Sequence, residues 1–117
     1  MAELNIQKRQ AGDVAILDLS GEVRIGDSAT ALRGAIRELV AEGNQNPKIL
    51  LNLGGVRYID SSGIGELIAN YTTVGRSGGQ LKLLNLTEKV QDLLVITKLL
   101  TVFDVYDKEA DALSSFK

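Results

Sequence analysis

Ile49, Leu50 and Leu51 follow one another inside "KILLNLG" (residues 48–54), and that run restricts the fold more than any other feature of the chain. In an extended strand consecutive side chains point to opposite faces. Successive aliphatic residues therefore make a strand apolar on both sides, which belongs in the covered centre of a parallel sheet. The flanking segments supply the rest of such a sheet. "VAILDLS" (14–20) and "LKLLNL" (81–86) read as strands, residues 3–9 as a weaker first strand, and "VFDVY" (102–106) contains a short last one.

Helical periodicity fills the gaps between them. Leu32, Ala35, Ile36, Leu39 and Val40 recur on one helical face, with Asp27 or Ser28 placed to cap the start and Gly43 to end it. Arg33, Arg37, Glu38 and Glu42 fall mostly on the opposite, solvated side. A second helix carries Ile64, Leu67, Ile68, Tyr71 and Val74 and closes at "RSGGQ". Thr87 and Glu88 open a third, supported by Val90, Leu93 and Leu94, and a last helical segment follows Asp107. The order β-β-α-β-α-β-α-β-α predicts an α/β fold, a mostly parallel mixed sheet with crossover helices, in a single domain over residues 1–117.

Composition removes several function classes. The chain has no Cys, which excludes disulfides and thiol chemistry. It has no His, the usual general base near neutral pH and the commonest metal ligand. Aromatic residues are only 4% of the total, so the core must be aliphatic. Net charge is −2, and the basic pairs Lys8-Arg9 and Arg33 with Arg37 do not extend into a run, so no nucleic-acid partner is expected. The longest apolar runs, Val14–Leu17 and Leu93–Ile96, are far too short to span a membrane. The start "MAELNIQ" lacks the basic and apolar regions of a secretory signal, which predicts a cytoplasmic protein.

"YIDSSGIGELI" (58–68) joins the central strand to the second helix. A serine nucleophile there would need an activating base, and only distant lysines are on offer. Gly63-Ile64-Gly65 begins like a dinucleotide fingerprint, but Ile68 stands where its third glycine belongs, and no phosphate loop with a lysine occurs elsewhere. Asp60 and Glu66 are candidates for an acid/base pair, yet nothing else gathers around them, so they read as scattered surface carboxylates. No catalytic residue, cofactor or metal is expected. Locally, Asp and Ser are preferred helix caps and the glycines suit a tight strand-to-helix junction.

Asp60-Ser61-Ser62-Gly63-Ile64-Gly65, after an aliphatic strand and before an amphipathic helix, resembles the STAS domain, and more closely the anti-sigma factor antagonists of bacteria. The similarity extends to Gly21-Glu22, "ILLNL", "GGQLKLLNL" and "VFDVYD". It implies that Ser61 is a phosphorylation site. It also implies that the unphosphorylated protein binds an anti-sigma factor serine kinase and frees a sigma factor, and that a serine phosphatase reverses the modification. The partner surface implied by the resemblance comprises Glu22, Arg24, Asp27, Asp60, Ser61, Ser62, Gly63, Ile64 and Gly65. Relatives often carry an acidic or His-containing segment after Gly-Glu-Leu, where this chain has "GEVRIGDS" with Arg24 and Ile25.

Two other classes compete with that expectation. One is a STAS scaffold or transporter-associated subunit, stressosome-like or part of a lipid-transport system, in which Ser61 is only a helix cap. The other is a small-molecule-binding or enzymatic domain, against which the missing His, Cys and phosphate loop count.

Overall fold

The computed structural model describes residues 4–24, 26–42 and 46–116. Along the chain run β1 (Leu4–Ala11), β2 (Val14–Val23), α1 (Asp27–Ala41), β3 (Lys48–Ile59), α2 (Ser61–Arg76), β4 (Gln80–Leu84), α3 (Glu88–Ile96), β5 (Val105–Tyr106) and α4 (Glu109–Ser115). The five strands form one sheet in the order β1-β2-β3-β4-β5. β1 pairs antiparallel with β2, and every later pair is parallel. The element order and the mixed, mostly parallel sheet are those expected from the hydrophobic pattern.

Each crossover moves the chain one strand further in the same direction. Right-handed crossovers then place their helices on one face of the sheet. The packing agrees: Ala15, Leu17 and Leu19 of β2, Ile49, Leu51 and Leu53 of β3, and Leu81 and Leu83 of β4 meet Leu32 and Ile36 of α1, Ile64 and Leu67 of α2, and Val90 and Leu94 of α3. The alternate residues Val14, Ile16, Leu50 and Leu84 form a smaller core with Ala112 of α4 and Phe116. Leu50 and Leu51 are both fully buried, on opposite faces, as the "ILL" run demands.

Several boundaries differ from the sequence expectation. β3 continues past Gly54 to Ile59 because β2 accompanies it, with shifts of register between Asp18 and Ser20 and between Gly21 and Glu22. Gly55 permits this approach, since a Cβ there would lie 2.7 Å from Ser20 Cβ and 2.8 Å from Leu19 O. β4 stops at Leu84, where Asn85 takes a left-handed conformation at φ 57°. The strand expected within "VFDVY" is only Val105–Tyr106, paired with Leu83 and Leu84. Gly43, expected to end α1, and Glu3 of the first strand lie outside the described residues.

Candidate functional site

β2 and β3 end side by side, with Val23 paired to Ile59, and α1 and α2 leave from the same edge. In open parallel sheets, sites form at this carboxyl end of the strands. The "DSSGIG" motif and the segment after Gly21 therefore meet here, although they are far apart in sequence.

Asp60 is the N-cap of α2: its extended backbone leaves the helix, and its Oδ1 accepts from Gly63 N at 2.8 Å. Ser61 and Ser62 are the first two helical residues, and both are exposed. The sequence allowed Asp or Ser as the cap. The structure gives that role to Asp60 and leaves the Ser61 hydroxyl at the surface, where the helix's unpaired N–H groups and positive dipole end favour an anion.

The two motif glycines serve different ends. A Cβ on Gly63 would sit 2.5 Å from Val23 O and 2.6 Å from Ile59 Cγ1, so only glycine allows the first turn of α2 to lie against the end of β2. Val23 O also accepts from Asp60 N at 3.3 Å. Around Gly65 there is open space within 4 Å, and it is exposed. Ile64 is buried in the main core, so it holds the helix down and offers little surface.

The neighbouring loop departs from expectation at the start of α1. The N-cap is Gly26, at φ 102°, without a side-chain capping bond. Neither Asp27 nor Ser28 caps, because the chain enters the helix through a positive φ that glycine takes without strain. Ser28 Oγ instead accepts from Arg24 N at 2.8 Å and donates to Arg24 O at 2.9 Å. Asp27 is exposed in the first turn, and Ile25 lies outside the described residues.

Glu22 is mostly buried, and two arginines flank it. Arg24 Nε lies 2.6 Å from its Oε1 and Arg57 Nε 3.5 Å from its Oε2. The guanidinium of Arg24 lies over the Tyr58 ring, 4.2 Å from its centroid. The structure thus adds Arg57 and Tyr58 to the sequence-derived residues. The pairing of Glu22 with Tyr58 across the strands is what collects them, and no local pattern marks it.

Glu66 is not the surface carboxylate expected from the sequence. It is only 6% exposed, and Arg33 of α1 donates to both its oxygens at 2.7 and 3.1 Å. It ties α1 to α2, while Asp60 is engaged with Gly63 N. The two carboxylates serve separate structural ends. What the edge presents is the exposed Ser61 at a helix start, next to the end of β2 that leads into Arg24.

A family model for the STAS domain matches residues 5–112. The chain belongs to the STAS domain family. Among curated relatives, it is 31% identical to the anti-sigma-B factor antagonist of Bacillus subtilis, over 90% of this chain and 93% of that protein. It is 27% identical to the anti-sigma F factor antagonist of Paenibacillus polymyxa, over 97% and 96% of the respective chains. A crystal structure of an anti-sigma factor antagonist from Mycobacterium paratuberculosis superposes with a TM-score of 0.80 at 24% identity, covering 97% of this chain and 94% of that one, which shows the shared fold. Among the described residues, no helix is long and apolar enough to cross a membrane.

Proposed function

We propose that this chain is an anti-sigma factor antagonist whose binding to an anti-sigma factor serine kinase is switched by phosphorylation of Ser61. The observation that carries this is the exposed Ser61 hydroxyl at the first position of α2, relieved of capping by Asp60. The names of the relatives support the choice of partner. In the modification, Ser61 Oγ attacks the γ-phosphorus of ATP, ADP leaves, and the hydroxyl proton passes to a base of the kinase. A serine phosphatase hydrolyses the ester. These partners place the protein in the cytoplasm, where ATP is available.

The site tolerates a phosphate of charge about −1.5 to −2 because it stands at a helix N-terminus. The switch therefore acts at the surface that closes on the partner, formed by Glu22, Arg24, Asp27 and residues Asp60 to Gly65. An unpaired charge buried in that interface costs roughly 2–5 kcal/mol, or about thirty- to several-thousand-fold in affinity. Arg24 supplies a positive group for an acidic residue of the partner. Arg24→Glu is expected to weaken binding and, by setting a second carboxylate beside the mostly buried Glu22, to lower the melting temperature as well, so affinity is compared with Arg24→Gln, which adds no like charge.

Stability and affinity of three variants, measured side by side, test the reading. Asp60→Ala should lose about 1 kcal/mol as a cap, whereas Ser61→Ala should stay within about 0.5 kcal/mol of wild type. Ser61→Ala should bind the partner and resist inactivation, and Ser61→Asp should fold but bind poorly. Phosphopeptide mapping that placed most of the phosphate on Ser62, Thr72 or Thr73, or a Ser61→Asp protein binding as tightly as wild type, would overturn it.

A further inference from the structure

We infer that phosphorylation of Ser61 draws the Arg24 side chain away from Glu22 and Tyr58 onto the phosphate, so that Arg24 reads the modification from within the same molecule. This rests on Ser61 being the modified residue, and four observations carry it. The Val23–Arg24 peptide already touches the first turn of α2: its oxygen accepts from Asp60 N at 3.3 Å and lies 2.5 Å from where a Cβ on Gly63 would stand. Arg24 thus follows directly on the peptide that bonds Asp60, the residue before Ser61.

The present attachment of Arg24 is open to solvent and holds no aligned hydrogen bond to Glu22 Oε1. Its side chain is 46% exposed, and although Nε is 2.6 Å from Glu22 Oε1 the two are not aligned as donor and acceptor. Among the described residues, Oε1 accepts no hydrogen bond despite being buried. A phosphate dianion offers three strong acceptor oxygens to a forked donor, a better match than one misaligned carboxylate oxygen and a ring face.

Glu22 and the Arg24 backbone each keep a partner when the side chain turns. Glu22 keeps Arg57 as a cationic neighbour. The Arg24 backbone stays in place, because its N–H and its carbonyl are both bonded to Ser28 Oγ. Only the side chain has to turn. Asp60, the remaining charged group of the motif, is held by Gly63 N, and Asp27 is exposed in the adjacent helix turn. Modification would then both add an anion to the partner surface and withdraw its arginine, uncovering the Tyr58 ring.

The test needs no partner. Phosphoserine is incorporated at position 61 by suppression of a stop codon, and its second ionisation is followed by phosphorus NMR in the otherwise wild-type protein, in Arg24→Gln and in Arg57→Gln. Arg24→Gln should raise that pKa by roughly half a pH unit or more, the loss of a contacting cation. Arg57→Gln, which removes the same charge from the same cluster, should move it less than half as far. Tyr58 ring resonances should shift on phosphorylation when Arg24 is present and stay put in Arg24→Gln. Equal displacement by both substitutions, or by neither, overturns the inference. A kinase that fails to modify Ser61 would sink the proposed function and leave this titration unaffected.

Discussion

Gly63 and Gly65 look interchangeable in "SGIG", yet they have opposite relations to stability. Replacing Gly63 by Ala drives a methyl against the Val23 carbonyl and the Ile59 side chain. Backbone cannot give way as a flexible side chain can, so the cost should reach the upper end of about 1–3 kcal/mol. Gly65→Ala adds its methyl to open space inside a helix, where alanine is the better helix former by up to about 1 kcal/mol. Urea denaturation of the two variants should move in opposite directions. A destabilised Gly65→Ala protein would contradict the open environment. If Gly65 faces the partner, that variant should be the more stable protein and the weaker binder.

Two helices end with the same pattern of bonds, but with different residues at the critical place. At the end of α2, Gly79 N donates to Val74 O and Gly78 N to Gly75 O, with Gly78 at φ 78°. At the end of α3, Leu99 N donates to Leu94 O and Lys98 N to Val95 O, with Lys98 at φ 62°. Both are Schellman endings, which favour glycine in the left-handed position. Lys98 therefore carries strain that Gly78 does not. Lys98→Gly should stabilise the protein by about 0.5–1 kcal/mol, read as a raised melting temperature with an unchanged denaturant slope. The α2 ending was legible in "RSGGQ", because glycine advertises a positive φ. The α3 ending was not, because lysine gives no such signal.

Across the whole molecule, Arg9 connects elements that are distant in the chain. From β1 it donates to Asp18 on β2 at 3.0 Å and to Glu109 on α4 at 2.7 Å, while Asn52 on β3 donates to Asp18 at 2.8 Å. Hydrogen bonding from Arg9 is the largest cause holding the Asp18 carboxyl below its ordinary pKa; burial opposes it, and Asn52 and the charge of Arg9 add to the lowering. A carboxylate whose pKa is depressed on folding contributes stability above its unfolded value, and that contribution is lost as pH falls through the folded one. Asp18→Asn should therefore cost up to about 1 kcal/mol at pH 7, a modest figure because Arg9 is half exposed. The deficit should shrink as the pH is taken below about 4. Denaturation midpoints at neutral and acid pH check this, and a deficit constant with pH would contradict it.

The aliphatic run at Ile49–Leu51 and the spacing of apolar residues on the helices determined the fold class and element order, because burial periodicity is a local property that needs no neighbour to be read. The motif at Asp60–Gly65 was equally plain as a strand-to-helix junction, and its resemblance pointed to Ser61. The sequence did not determine which residue caps α2, since Asp and Ser are both good caps, and the local geometry chose Asp60. Nor did it show that Glu66 is buried, for the Arg33 that neutralises it comes from another helix. The gathering of Glu22, Arg24, Arg57 and Tyr58 was decided by tertiary structure alone. It arises from the parallel register of β2 against β3, a contact between residues far apart in the chain, and such contacts leave no periodic trace in either segment.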